Sequence, residues 1–315
     1  MSNPVIILDA DPAVYAAAFA AQSSSYHVVY ETKGGEMKQK IWNDGNVKNK
    51  FFRRFPSCQI MDEEKVIQTE TASHARQACK TIFDRMISKI AKEFNTHKGG
   101  IDLEVYLTGS NNFRYELAQI TPYKAGRPDK PAHYQTVRDY ILDVWNGIVI
   151  EDWEADDEVS IRCRQLTADG RTPILATIDK DLDQVPCAHY DYRRHVFYDI
   201  DERYADLFFW QQVLSGDSTD TIQGIPKIGS GKAGKMIAEW SDECHEMEIS
   251  DQWESYVWER IVTAYAVAME KFPDKFPEGM TAEEAAIENA RLVKMMDYHG
   301  QLWTPPGVPD KEIQQ

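Results

Sequence analysis

The sequence predicts an α/β fold, in which a mainly parallel central sheet is flanked by helices and followed by a helical region. Short apolar runs, at residues 5–8 and 174–178, alternate with segments of helical periodicity. This alternation is typical of parallel sheets covered on both faces. From Asp201 onward the pattern is almost wholly helical. Acidic residues follow the apolar runs, at the strand ends where ligands bind in such folds.

Periodicity and breaker residues place the individual elements. An apolar run predicts a strand at 5–8, and an Ala-rich stretch predicts a helix at 13–21. Glycine pairs indicate a hairpin-like insertion over about 22–70, and three prolines indicate a loop or short-helix region at 115–132. The other predictions are helices at 73–94, 137–145 and 155–166, and strands at 103–107, 148–150 and 173–178. We therefore expect an α/β core over 1–200 and a helical region over 201–315.

The composition is that of a globular protein. The chain is acidic overall, but it contains basic segments that could bind nucleic acid. Of 315 residues, 43% are hydrophobic, and no run is long enough to span a membrane. Residues 242–315 hold 16 acidic and 6 basic residues and so account for −10 of the net charge of −16. The segment 33–54 instead holds seven basic and two acidic residues, and nucleic-acid binding depends on such local patches. A solvated charged face is the competing interpretation of this segment.

Cysteine usage and the N-terminal residues indicate an intracellular protein. The five cysteines form no CxxC pair, which favours reduced thiols over disulfides or a zinc site. No signal-type stretch begins the chain. We therefore expect a cytoplasmic location, without a membrane and without an obligate protein partner.

Four groups of carboxylates occur at or near predicted strand ends and helix starts. Each group alone could cap a helix, and the last could be mistaken for a calcium loop, although isoleucine and proline follow it. Together they exceed what capping requires, because convergent carboxylates repel one another unless a cation lies between them. Oxygen ligands without nearby His or Cys select Mg²⁺, with Mn²⁺ as a substitute. The predicted metal ligands are Asp9, Glu154, Asp156, Asp157, Asp179, Asp181, Asp217 and Asp220.

A glycine- and lysine-rich turn, residues 224–232, lies between two predicted helices. Its backbone amides and the next helix N-terminus could bind a phosphate, and Lys227, Lys232 and Lys235 add positive charge without an intervening acid. A plain helix–helix turn is the alternative. The GxxxxGK[ST] pattern of a nucleotide-binding loop does not fit.

These residues resemble the flap endonuclease and 5′→3′ exonuclease family of PIN-like nucleases, and most closely the free-standing exonucleases of tailed bacteriophages. The similarity runs in consistent order from about residue 4 to 300. It rests on Leu8-Asp9, Phe113-Arg114, the stretch 122–127, the acidic groups at 154–157, 179–181 and 216–220, and the glycine turn. The insertion at about 22–70 is less familiar.

The resemblance implies roles for individual residues. Asp9, Glu154 and Asp156 would hold a first Mg²⁺, and Asp179, Asp181 and Asp217 a second, with Asp157 and Asp220 as shared or outer ligands. Lys124 and Arg127 would face the scissile phosphate from a helical gateway at about 111–135. Tyr123 would stack on a base, and Arg114 would contact phosphate. The turn would form a helix–three-turn–helix element at about 214–240, in which Gly229, Gly231, Lys227 and Lys232 contact DNA and the main chain of Gly224, Ile225 and Ile228 holds K⁺.

One position departs from the family pattern. The family places an aspartate after the second strand, where this chain has Gly109 or a neighbour. The first metal would then lose a ligand, and Asp11 could compensate or could serve only a structural role.

The predicted function is Mg²⁺-dependent cleavage of DNA from a 5′ end by a two-metal mechanism, on duplex, flap or RNA-primed substrates. The resemblance places this activity in phage DNA replication or host DNA degradation. Two alternatives stay open: a PIN-type ribonuclease, and a non-catalytic DNA-binding homologue.

Overall fold

A computed structural model describes residues 4–96, 100–247, 252–309 and 311–313. Its helices are α1 (Asp11–Ala20), α2 (Gly45–Arg54), α3 (Ala72–Glu93), α4 (Arg114–Leu117), α5 (Tyr134–Trp145), α6 (Ala155–Ala168), α7 (Glu202–Ser215), α8 (Ser230–Glu246), α9 (Trp253–Lys271) and α10 (Ala282–Val293). Its strands are β1 (Val5–Asp9), β2 (Gln22–Glu31), β3 (Met37–Trp42), β4 (Gln59–Thr69), β5 (Asp102–Thr108), β6 (Ile148–Ile150), β7 (Pro173–Thr177), β8 (Ala188–Asp191), β9 (Val196–Asp199), β10 (Gly216–Asp217), β11 (Ile222–Gln223), β12 (Gln301–Leu302) and β13 (Lys311–Glu312).

The chain forms two structural units. The first contains Met1–Pro12, Met86–Asp129 and Trp145–Gln315, and the second contains Ala13–Arg85 and Lys130–Val144. This grouping differs from the predicted division at residue 200, because the helices after residue 200 belong to the same unit as the central sheet. Part of the predicted acidic C-terminal portion, at 248–251, 310 and 314–315, lies outside the described residues.

A six-stranded sheet in the first unit confirms the predicted α/β class. Its strand order is β6-β5-β1-β7-β8-β9, and every neighbouring pair is parallel except β8 and β9. All positions of β1 and β7 are buried, as expected for central strands covered on both faces. The strand pair β8–β9 was not predicted, because its polar and aromatic residues lack a continuous apolar run.

Helix α6 brings an acidic N-terminus to the carboxyl edge of this sheet. Its apolar residues Val159, Cys163 and Leu166 pack in one buried cluster with Ile7 of β1 and Leu175 of β7. Burial of each such side chain contributes roughly 1.5–3 kcal/mol. Because β5, β1 and β7 run parallel, their carboxyl ends share the edge that the start of α6 approaches.

The helices after residue 200 form a second core in the same unit. Helices α7, α8, α9 and α10 enclose a cluster that includes Trp210, Trp258 and Tyr265. The Tyr265 hydroxyl donates a 2.7 Å hydrogen bond to the Val213 carbonyl, so its buried polar end is satisfied. Among the described residues, no helix is long and apolar enough to cross a membrane.

The predicted insertion is a three-stranded antiparallel sheet with a helix. Its order is β3-β2-β4, and α2 joins β3 to β4. Val28, Tyr30 and Trp42 form its buried centre, with Phe51 and Phe52 of α2 packed against them. Helix α2 begins at Asp44, whose carboxylate accepts bonds from the amides of Asn46 and Val47. The predicted hairpin corresponds to β2 and β3, and β4 adds a third strand that was not predicted.

Candidate active site

Three carboxylates at the carboxyl edge of the sheet have no basic partner within the described part of the chain. Asp9 ends β1, Asp156 lies in the first turn of α6, and Asp179 follows β7. Asp9 and Asp156 share a hydrogen bond. Burial, and then repulsion by neighbouring carboxylates, raises the pKa of both Asp9 and Asp156. The three side chains therefore converge at a place that disfavours uncompensated negative charge.

Asp179 shows the same electrostatic conflict, although it also organises the backbone. Its carboxylate caps the short helical turn Lys180–Gln184 by accepting a 2.9 Å bond from the Asp181 amide. Burial and the charges of Asp220 and Asp217 raise its pKa, against that bond and the nearby Lys180. Capping alone would lower the pKa, so the alternative of a simple cap does not account for the environment of this residue.

Lys180 bridges the next two predicted ligands. Its ammonium lies 2.8 Å from the Asp181 carboxylate and 2.5 Å from that of Asp217. Burial would raise the pKa of Asp217, but Lys180 holds it below the usual value. For Asp181, burial and repulsion by Asp179 and Asp217 prevail over Lys180 and raise the pKa to about 7. The sequence reasoning did not include Lys180 among the site residues.

Lys124 forms the equivalent bridge between Glu154 and Asp220. Its side chain is 7% exposed, donates to Glu154 and lies 3.4 Å from Asp220. Burial would raise the pKa of Glu154, but Lys124 and then Arg114 hold it below the usual value. The backbone of Lys124 is left-handed, at φ 57°, and its amide donates to the Asp220 carbonyl at 2.8 Å. A non-glycine residue in this region costs of order 1 kcal/mol, so the local structure holds the ammonium in place.

Asp157 and Arg114 form a fully buried ion pair. The Arg114 guanidinium makes two bonds to the Asp157 carboxylate, at 2.6 and 2.9 Å, and is 1% exposed. Asp157 also accepts bonds from the backbone amides of Glu154 and Met296. The carboxylate is thus saturated by donors. In this arrangement Asp157 is not open to a metal and Arg114 is not open to a phosphate, which corrects both expectations.

Tyr123 and Arg127 complete the surroundings of Asp220. The Tyr123 hydroxyl donates to Glu154 at 2.8 Å and to Asp220 at 2.9 Å, and the residue is only 5% exposed. This burial does not fit the expected stacking of Tyr123 on a base. Arg127 is more open, with its side chain 45% exposed, and contacts Asp220 at 2.9 Å. The predicted helical gateway contains one short helix, α4, with turns after it, because prolines interrupt the segment.

The position of Gly109 is filled by another acid. The Glu151 carboxylate accepts bonds from Ser110 and Asn111, and a side-chain carbon on Gly109 would lie 2.4 Å from it. Asp11, the suggested substitute ligand, accepts a 3.0 Å bond from the Thr108 amide. That bond joins β5 to the start of α1, which accounts for Asp11 structurally.

Two glycines allow the turn after α7 to fold back on itself. A side-chain carbon on Gly216 would lie 2.2 Å from the Ile222 carbonyl, and one on Gly224 would lie 2.2 Å from the Ser215 backbone. The two backbone segments therefore lie in close contact, where β10 and β11 pair in antiparallel fashion. Asp217, next to this contact, accepts bonds from the amides of Thr219 and Asp220. The contact thus places the last acidic group at the base of the glycine turn.

The glycine turn presents an open helix N-terminus. Gly229 precedes α8, no side chain caps the helix, and both Gly229 and Gly231 have free space around them. Lys227 and Lys232 are exposed beside it. The Ile225 carbonyl accepts the Ile228 amide at 3.0 Å, closing the turn. Unpaired backbone amides and lysines at a helix start suit a phosphate, whereas the roles of Gly224, Ile225 and Ile228 toward K⁺ stay predictions.

The donor set as a whole fits divalent cations, although it is not already arranged around one. Within the described ranges, no three Asp, Glu, His or Cys side chains are placed as a ready metal-binding group. Instead, the ammonium groups of Lys124 and Lys180 lie between carboxylates. Burial and mutual repulsion raise the pKa of Asp9, Asp156 and Asp179, so their ionised forms are disfavoured and would be stabilised by a further cation. Hard oxygen donors of this kind select Mg²⁺ or Mn²⁺.

Comparison with known proteins finds similarity to DNA polymerases I and to a flap endonuclease. The chain is 33% identical over 104 residues to DNA polymerase I of Rhizobium leguminosarum, covering 30% of this chain and 10% of that protein. It is 24% identical over 197 residues to the flap endonuclease Xni of Colwellia psychrerythraea, covering 58% of this chain and 67% of that protein. No family model matches. The resemblance to the flap endonuclease and 5′→3′ exonuclease family is confirmed.

The match to flap endonucleases is partial in length. The chain spans about a tenth of the Rhizobium polymerase and two thirds of the flap endonuclease Xni. Among solved structures, the T5 D15 protein co-crystallised with metal ions is 15% identical, with a TM-score of 0.49, over 92% of this chain and 89% of that one.

Proposed function

We propose that this chain is a divalent-metal-dependent nuclease that hydrolyses phosphodiester bonds of DNA at or near a 5′ end. The observation that carries the proposal is the group Asp9, Asp156 and Asp179, which is buried at the sheet edge without any basic partner in the described structure. A protein does not maintain such repulsion for stability. Perturbed carboxyl groups of this kind occur at functional sites.

The acidic residues at this edge of the sheet would have two roles, metal binding and support of the local structure. Asp9, Glu154 and Asp156 would hold one Mg²⁺, and Asp179, Asp181 and Asp217 would hold the other. When bound, the two cations would activate the attacking water and neutralise the leaving oxygen, as paired metals do in phosphodiester hydrolysis. Asp157, through Arg114, would keep the start of α6 in place rather than bind metal.

Lys124 and Arg127 would act on the substrate once cations enter. In the present arrangement both contact Asp220. If Glu154 and Asp220 held Mg²⁺, Lys124 and Arg127 would lose these carboxylate partners and could then face the scissile phosphate. The glycine turn is not needed for this step.

The glycine turn would bind the duplex backbone away from the acids. Its support is the uncapped start of α8 and the exposed Lys227 and Lys232. We propose that Gly229 and Gly231 contact phosphate through their amides and that main-chain oxygens of Gly224, Ile225 and Ile228 hold K⁺. A requirement for K⁺ over Na⁺ in duplex binding, measured without divalent metal, tests this part separately.

A digest of 5′-labelled substrates tests the proposed function. Duplex, flap and RNA-primed DNA, and a single-stranded RNA, are incubated with Mg²⁺, with Mn²⁺ or with a chelator. We expect metal-dependent short products from the 5′ end of DNA, and loss of activity in Asp179→Asn. Preferential cleavage of the single-stranded RNA would instead favour a PIN-type ribonuclease. Absence of cleavage with intact DNA binding would favour a non-catalytic homologue.

A further inference from the structure

The side of the β2–β3–β4 sheet that faces α2 carries a concentration of positive charge. By register, Lys40 lies opposite Val28, and Lys65 lies opposite Tyr26, in the row that packs against α2. The acids Asp62 and Glu64 lie opposite Val29 and His27, in the alternate row. Glu63 lies opposite Val28, on the α2 side, and is paired with Lys48. Because successive strand residues point to opposite faces, Lys40 and Lys65 share the α2 side, while Asp62 and Glu64 point to the other side.

Helix α2 extends this basic surface with cations that have no carboxylate partner. Lys50, Arg53 and Arg54 are exposed, and none forms an ion pair within the described residues. Lys48, in contrast, is buried and paired with Glu63. The helix dipole accounts for cations in the last turn, at Arg53 and Arg54. It does not account for Lys50, which lies one turn before Arg54 at a spacing where like charges repel.

Aromatic rings lie among these cations. The Lys40 ammonium is 4.9 Å from the centre of the Trp42 ring, and the Arg54 guanidinium is 5.7 Å from that of Phe55. Phe55 ends α2 and is 43% exposed. Trp42 is buried, so Phe55 beside Arg54 is the exposed ring of this pair of contacts. An exposed ring beside an unpaired cation is the combination by which proteins hold single strands without reading their sequence.

We propose that this basic surface, formed by Lys40, Lys50, Arg53, Arg54 and Phe55, binds single-stranded nucleic acid. The cations would contact phosphates, and Phe55 would stack on a base. On a chain with a net charge of −16, unpaired cations on one helix complement a polyanion. The choice of ligand rests on the proposed nuclease function, but binding itself requires no cleavage.

Fluorescence anisotropy with a labelled single strand and its duplex, in a chelator, tests the proposal. The test variant is Lys50→Gln/Arg53→Gln/Arg54→Gln, and the control is Arg76→Gln/Lys89→Gln/Lys92→Gln, which removes the same charge from exposed positions of α3. Loss of three phosphate contacts should reduce the slope of log affinity against log salt concentration by about 2 for single strands. At 0.1 M salt this corresponds to roughly 100-fold weaker binding. The control should retain wild-type affinity and slope.

Phe55→Ala separates stacking from charge. We expect at least about fivefold weaker single-strand binding with an unchanged salt slope, since a stacked base contributes roughly 1–3 kcal/mol. Equal affinities and slopes for the test and control triples would overturn the proposal, as would a loss confined to duplex. A chain that binds in this way but cuts nothing would refute the proposed function and leave this inference standing.

Discussion

The acids at the sheet edge form two sets that differ in whether the chain supplies their counter-charge. Asp157 and Asp217 have pairing cations in Arg114 and Lys180. Asp9 and Asp156 have none in the described structure, and burial together with neighbouring acids raises the pKa of both. The comparison indicates that the chain itself balances the charge of Asp157 and Asp217, whereas it leaves Asp9 and Asp156 without a balancing cation. Substitutions in the two sets should therefore have opposite effects on stability.

The largest effect is expected from breaking the buried pair. Asp157→Ala leaves the Arg114 guanidinium buried without its partner, so the free energy of unfolding should fall by about 3–5 kcal/mol. Urea unfolding followed by circular dichroism measures this loss. A variant as stable as the wild type would show that the pair does not maintain the fold.

Substitution in the other set should reduce activity without reducing stability. Asp156→Asn removes a carboxylate whose charge is disfavoured by burial and by Asp9, so the metal-free protein should become more stable. Turnover with Mg²⁺ should fall at least about 100-fold, since even residues that only support metal ligands cost 10- to 100-fold. Thermal unfolding in a chelator and cleavage of a 5′-labelled duplex measure the two effects. Destabilisation of the metal-free variant would contradict the comparison.

The pH dependence of stability should reveal Asp181, whose pKa is raised to about 7 by burial and by Asp179 and Asp217. In the unfolded chain an aspartate loses its proton near about pH 3.9. Between these values the folded state binds the extra proton, so stability falls as pH rises toward 7 and levels off above it. Metal-free wild type should thus lose more stability between pH 5 and 8 than Asp181→Asn. Parallel profiles would exclude this titration.

The smallest effect concerns Lys180, whose ammonium lies between two of the proposed metal ligands, Asp181 and Asp217. Lys180→Met removes a half-exposed ion pair, which contributes about 0.2–1 kcal/mol at most. Divalent binding should tighten severalfold, because the metal no longer competes with the ammonium, whereas Lys180→Arg should retain the competition. Calorimetric titration with Mn²⁺ measures both variants. Weaker binding in Lys180→Met would mean that Lys180 assists the metal rather than competing with it.

Sequence reasoning found the acids and missed their partners. Asp9 and Asp179 were recognisable because they end apolar strands whose parallel order brings their carboxyl ends together. Partner choice depends on contacts across 43 residues for Arg114 and Asp157, and across 37 for Lys180 and Asp217. No local pattern encodes such contacts. The same limit explains Tyr123, which is aromatic and lies in a basic loop, but is buried by its bonds to two acids.

The close backbone contact between Gly216 and Gly224 has a mechanical consequence. It joins the segment that leads into Asp217 to the segment that leads into the turn before α8. Neither glycine has room for a side chain, so a larger residue at either position would push the two segments apart. A shift of the glycine turn would therefore also move Asp217, which couples the two ends of this hairpin.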